Sequence, residues 1–188
     1  MAILTRLVDE RTDLGAADVE RLRALVEEWS LLADLSLSDL VLWVPTWNEG
    51  GLIAVAQVRP TTAPTSVPDD VVGDFTPRGR FPQLDQAAAF GRPVTLRDIK
   101  HPWVPSGIEA YPVRVGERTI AVVARYASAA PRVAGRLEEI YLTSADDLYA
   151  MLVDGGFPVV ETGSDTTAAP RVGDGIVRLD AAGIVNTG

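Results

Sequence analysis

Leu40-Val41-Leu42-Trp43-Val44, then Trp47-Asn48-Glu49-Gly50-Gly51, then Leu52-Ile53-Ala54-Val55-Ala56-Gln57-Val58 is the stretch whose reading decides the fold. Two apolar runs separated by turn residues predict two strands of a hairpin. Neither run alternates between apolar and polar residues. Strands that are almost continuously apolar belong to a sheet covered on both faces. Pro60 ends the second strand, because proline offers no N–H to a ladder.

Working outward, a second hairpin lies at Ile108 to Val115 and Thr119 to Tyr126, around Gly116-Glu117-Arg118. Ahead of the first hairpin, Val19, Leu22, Val26, Trp29 and Leu32 recur at three- and four-residue steps, with Leu25 widening the stripe. That spacing predicts an amphipathic helix over 16–33. Gly15 precedes it, and Asp18 lies in its first turn, where a carboxylate favours the helix dipole. A second long helix is predicted over 132–154 from Leu137, Ile140, Tyr141, Ala145, Leu148, Met151 and Leu152. Gly155, Gly156 and Pro158 stop it. Residues 60–82, rich in Pro, Thr, Gly and Asp, read as a long ordered loop, a common place for ligand contacts. A short helix follows over 82–90 with Gly91 as its stop, then a short strand at 93–97 and irregular chain over 98–107. The order predicts an α+β fold with an antiparallel sheet. Residues 158–172 read as a linker. Residues 173–185 read as strand, turn, strand, and a lone hairpin is marginal in water. We therefore expect a first domain over 1–157, a linker over 158–172, and the truncated start of a second domain over 173–188.

The bulk chemistry removes several function classes. The 188 residues are 47% apolar and 23% charged, so a packed core is expected. The net charge of -9, with no basic stripe, argues against a nucleic-acid partner. Zero cysteine removes disulfides, thiol redox sensing and thiolate metal sites. A single histidine leaves no His-rich zinc site, so no metal is expected. Met1 to Arg11 lack the apolar run of a signal peptide, and no stretch approaches the roughly 20 apolar residues of a membrane span. The expected location is cytoplasmic, with no membrane partner.

Several short pieces resemble one family. They are Glu28-Trp29-Ser30-Leu31-Leu32-Ala33-Asp34-Leu35-Ser36, Leu42-Trp43-Val44, Val55-Ala56-Gln57-Val58-Arg59-Pro60, Tyr111-Pro112-Val113-Arg114 and Ile120-Ala121-Val122-Val123-Ala124-Arg125. In this order and spacing, region 1–157 resembles the N-terminal GAF domain of a group of actinobacterial sensor histidine kinases. Gly173-Asp174-Gly175-Ile176-Val177-Arg178-Leu179-Asp180 resembles the opening strands of the PAS domain that follows in that family. The resemblance implies a GAF-like sheet with N- and C-terminal helices on one face and loops plus a short helix on the other. It implies a parent protein of a two-component system that uses ATP to phosphorylate itself on a histidine and passes the phosphate to a response regulator. That chemistry would sit in a kinase core outside these residues, so this region is expected to have a sensory role and no enzyme activity of its own. Some relatives carry cysteines in the second strand. Here Ala54 and Val58 occupy that region, so thiol-based sensing is not carried over.

No catalytic grouping stands out. His101 is followed by Pro102, which does not suit the helix of a phosphoacceptor histidine, and a loop role is the simpler reading. A Ser106, His101, Asp98 triad lacks a nucleophile elbow. Glu138-Glu139 and Asp146-Asp147 are helix neighbours about 100° apart, which suits a solvated face better than a shared reacting atom. Asp69-Asp70 suit a turn or cap. Gly173-x-Gly175 lacks the third glycine and the helix of a dinucleotide fingerprint. Gln57, Arg59 and Arg114 stand on or beside apolar strands. With the GAF resemblance, they and Trp43 are the candidate ligand contacts: an indole wall for stacking, and guanidinium groups for phosphate or carboxylate. The plain alternative makes Arg59 and Arg114 strand-end surface residues and Trp43 core. No cofactor is identified. The expected partners are a small-molecule or nucleotide ligand and, by resemblance, a second copy packed along helices 16–33 and 132–154. The function expected is sensing, by ligand binding or conformational coupling. The alternative is a structural dimerisation or protein-interaction module with no ligand.

Overall fold

The computed structural model of the chain describes residues 2–95, 107–127, 135–158, 171–175, 177–180 and 182–185. In chain order its elements are α1 (Ala2–Arg11), α2 (Ala16–Ser36), β1 (Ser38–Pro45), β2 (Gly51–Val58), β3 (Phe75–Pro77), α3 (Pro82–Phe90), β4 (Ile108–Val115), β5 (Arg118–Ala127) and α4 (Arg136–Asp154), then a 3-10 turn at Val172–Asp174. The five strands form one sheet in the order β3-β2-β1-β5-β4. Every neighbouring pair is antiparallel. The α+β fold and both hairpins are as the sequence predicts.

The apolar runs are continuous because both faces are covered. Leu40, Leu42 and Val44 of β1 point to a core shared with α1, α2 and α4. Val41 and Trp43 point the other way, to a second core with Leu84 and Ala87 of α3. Period-two alternation is thus intact, but both phases are apolar. Fully burying one of the leucines contributes about 1.5–3 kcal/mol. In β2, Leu42 pairs with Ala56 and Trp43 with Ala54, leaving Val55 as an extra residue. This β-bulge reverses the alternation beyond it. Gln57, which would otherwise share the helical face of Ile53 and Val55, pairs with Val41 on the loop face.

The long helices are tied to the sheet at identifiable points. The Asp18 carboxylate accepts the Gly15 N–H at 3.1 Å at the start of α2. The same carboxylate takes Arg118 Nη2 at 2.7 Å, joining the helix start to β5. At the end of α2, Leu37 adopts the left-handed conformation (φ 52°), and its N–H reaches Ala33 and Asp34 carbonyls. Gly155 (φ 83°) closes α4, where a Cβ would be strained. Arg21 of α2 donates to Pro158 O at 2.7 Å and also reaches the Gly155 and Phe157 carbonyls, pinning the end of α4.

Two local expectations change, and one helix is added where the sequence reading assigned no element. Residues 2–11 form a helix, with Leu4 and Val8 buried one turn apart and Leu7 packed beside them. The 60–82 loop contains the edge strand β3, which approaches β2 so closely that a Cβ on Gly51 would lie 2.0 Å from Thr76 O. Of the 93–97 strand, Val94 forms a single bridge to Ala110, and residues 96–97 lie outside the described set. Helix 132–154 is described from Arg136. Pro112 is accommodated because β4 is an edge strand. Among the described residues no helix is long and apolar enough to cross a membrane.

Candidate functional site

The loop face carries a cavity of about 470 Å³ between Trp43 of β1, β3, the start of α3 and the loop before β3. Three polar side chains hold that loop. Asp39, fully buried, accepts the Thr65 hydroxyl at 2.6 Å and the Ser66 N–H at 2.5 Å. Gln57 accepts the Val71 N–H at 3.0 Å and donates to the Val67 and Asp69 carbonyls at 3.1 Å. Arg59 donates to the carbonyls of Val67, Pro68 and Asp69. Val67, Val71 and Phe81 give the cavity apolar walls, and Arg80 lies over the Phe81 ring at its rim.

Two polar atoms at this cavity are buried and unmet. Trp43 Nε1 and Thr76 Oγ1 have no hydrogen-bond partner among the described residues. Trp43 Nε1 approaches the Tyr126 side chain without meeting hydrogen-bond geometry. Burial raises the Tyr126 pKa, so its hydroxyl stays protonated. A buried donor without an acceptor costs about 1–3 kcal/mol. The apolar walls of the cavity suit a compact, mostly apolar molecule.

Of the four sequence candidates, Trp43 lines this cavity. Gln57 and Arg59 stand behind its wall, with their donors directed to loop carbonyls. Arg114 is elsewhere, paired with Glu117 at 2.8 Å in a separate cleft with Arg21. The four do not meet in one space, because Arg114 lies at the far end of edge strand β4. His101, Ser106 and Asp98 lie outside the described residues. Asp70 accepts the Val72 N–H, as a turn aspartate does. Among the described residues no three His, Cys, Asp or Glu side chains come together to hold a metal.

The helical face holds a polar cluster that sequence reading missed. Glu109 and Arg125 are directly opposed across β4 and β5 and form an ion pair at 3.0 Å with little solvent exposure. Arg125 also donates to Ser38 Oγ and the Ser36 carbonyl, and its guanidinium lies 5.8 Å from the Tyr149 ring. Tyr111 donates to Glu109 at 3.0 Å and stacks on Tyr149 of α4 with ring centroids 4.0 Å apart. Burial, then the nearby Glu109 charge, pushes the Tyr111 pKa well up. Burial pushes Tyr149 up to about 12. Burial opposes the Arg125 charge, but Tyr149, Glu109 and Tyr111 outweigh it and leave the pKa raised. The cluster lines a cleft of about 620 Å³ beneath α4. With the Arg125 donors engaged, it acts as a pin between sheet and helix. The available signal was two opposite charges at facing positions of a predicted hairpin.

A second missed group is Asp34, fully buried near the end of α2. It accepts the Thr61 N–H at 2.7 Å, the Thr61 hydroxyl at 3.0 Å and Arg171 Nη1 at 3.1 Å. Further on, Arg178 pairs with Asp147 of α4, and Leu179 bridges Val185 around Gly183.

The family model described as the GAF domain of the histidine kinase PdtaS matches residues 4–145. The chain is 38% identical to the sensor histidine kinase PdtaS of Mycobacterium tuberculosis strain H37Rv, over 99% of its own length and 38% of the relative's. It is 37% identical to PdtaS of Mycolicibacterium smegmatis, over 98% of this chain and 38% of that one. A solved structure described as the sensor region of a sensor histidine kinase superposes with a TM-score of 0.79 at 38% identity, covering 98% of this chain and 64% of the other.

Proposed function

The chain belongs to the GAF-domain family of the histidine kinase PdtaS, and on that premise we propose that it is the sensory region of a two-component sensor histidine kinase. It spans 38% of the length of the curated relatives it matches. ATP use, histidine autophosphorylation and transfer to a response regulator are then the work of other parts of the parent protein. In this reading residues 173–188 open a PAS-like second domain after a linker at 158–172. The exposed Val177, Leu179, Ile184 and Val185 are the side chains such a domain would cover. The protein works in the cytoplasm and carries no catalytic residue in this region.

The loop-face cavity carries the ligand-sensing form of the proposal. Trp43 lines it together with Val67, Val71 and Phe81, and a small ligand would pack against this apolar, aromatic wall. In this role Trp43 touches the ligand, and Gln57 and Arg59 act through the loop they hold. A thermal-shift screen with nucleotides, cyclic dinucleotides and small metabolites tests it. A ligand at 100 times its dissociation constant adds about 2.7 kcal/mol. We expect such a shift for one compound and its reduction in Trp43→Phe, which keeps an aromatic side chain but shortens the wall. No shift with any compound sinks ligand sensing by this cavity.

One observation favours a second reading, a dimerisation module with no ligand. Leu137, Tyr141, Leu148 and Met151 recur on α4 at four-, seven- and three-residue steps, with Leu137 59% and Met151 43% exposed. That spacing matches one seam of a helical pair, with Tyr141 and Leu148 also packed in part against the chain's own core. A second copy of the chain would cover it, and sedimentation of the chain as a strict monomer at high concentration would count against it.

A further inference from the structure

We propose that Asp34 is a positioning residue that couples the loop beside the cavity to the chain segment after α4. The proposal deepens the sensory reading and rests on it for its purpose, but its test uses no ligand.

Asp34 is fully buried, and a buried carboxylate is stable only when hydrogen bonds and a counter-charge surround it. Its partners come from two separate segments. The loop supplies the Thr61 N–H at 2.7 Å and the Thr61 hydroxyl at 3.0 Å. The Thr62 hydroxyl reaches the Asp34 backbone carbonyl at 2.6 Å. The later segment supplies Arg171 Nη1 at 3.1 Å, and the Val172 N–H stands 3.5 Å from the second carboxylate oxygen. Thr61 and Arg171 bind the same oxygen, Oδ1. The two segments are thus joined through one atom.

The path continues to the cavity without a gap. Thr61 and Thr62 open the loop that Asp39, Gln57 and Arg59 hold, and Val67 and Val71 of that loop are cavity walls. Arg171 also lies 3.5 Å from the Arg59 carbonyl, while the Arg59 guanidinium grips residues 67–69. On the other side, Val172 is buried in the helical-face core, and Arg178 pairs with Asp147 on α4. Docking of the 171–172 segment and seating of the 61–71 loop therefore meet at one buried charge. Coupling of this kind is reciprocal: loosening either segment weakens the hold on the other.

Hydrogen–deuterium exchange on the 188-residue chain tests this with Arg171→Met, which keeps the aliphatic stem and removes the guanidinium. We expect amide exchange to rise about tenfold in residues 61–71 as well as in 171–175, with β1 and α4 unchanged and Arg171→Lys restoring part of the protection. Thr61→Val, from the loop side, should speed exchange in 171–175. Acceleration confined to 171–175 in Arg171→Met would make the contact a local staple and overturn the proposal. A rise spread evenly over β1 and α4 would mean loss of overall stability and would overturn it too. A ligand screen that finds nothing leaves these outcomes unaffected, so failure of the sensory reading and failure of the coupling are separable.

Discussion

Tyr149 is the clearest residue whose chemistry depends on its place. Its ring is buried under α4, its hydroxyl is 3.3 Å from Ser36 Oγ, and burial pushes its pKa up to about 12. A raised acid pKa means the folded state holds the proton more tightly than the unfolded chain does. The stabilisation is complete below about pH 10, the unfolded tyrosine value, and is lost as pH rises toward 12. In Tyr149→Phe the drop in stability between those values should shrink, measured as urea midpoints across pH. Arg125 makes a second residue-scale test. Its removal in Arg125→Met takes the guanidinium from the largely buried Glu109 and should cost about 3 kcal/mol in chemical denaturation. Adding Glu109→Gln removes the stranded charge and should recover more than half of that loss. Both residues could be found from their facing positions in the predicted hairpin. That Tyr149 closes the cluster could not, because it arrives from a helix 24 residues after Arg125.

At the scale of elements, β1 and β2 were legible in composition, and the direction of Gln57 was not. Alternation counted from Ile53 and Val55 sends Gln57 to the helices, and the bulge at Val55 sends it to the loop. Bulges follow from how two strands and their neighbours fit, which no single strand encodes. The edge strand β3 was hidden in a loop rich in proline and glycine for a related reason. It holds Phe75–Pro77 against β2 only because Gly51 leaves room for the Thr76 carbonyl. Gly51→Ala should displace β3 and cost about 1–3 kcal/mol, as overpacking does. Its mark would be faster amide exchange in residues 74–77 and little change in β5. α1 was legible in principle, since Leu4, Leu7 and Val8 have helical spacing within the first ten residues.

Across the whole molecule, the two-sided sheet separates two kinds of site. The helical face carries the leucines and the Arg125 cluster with the cleft it lines, whereas the loop face keeps a mostly apolar cavity beside Trp43. A ligand in that cavity should slow exchange in residues 61–71 as well as raise the melting temperature. Covalent or redox sensing through a thiol has no chemistry to use here, as the chain contains no cysteine. The antiparallel sheet, its two hairpins and the covering of both faces follow from local composition, because turn residues and apolar runs act on their own neighbours. The family pattern was legible in the same short pieces. Three features depended on long-range packing: the bulge that turns Gln57, the Tyr111–Tyr149 stack that pins α4, and the meeting of Thr61 and Arg171 on Asp34. Each brings together groups distant in sequence or sets a register between strands, and a buried polar group finds its partner only once the surrounding core has closed.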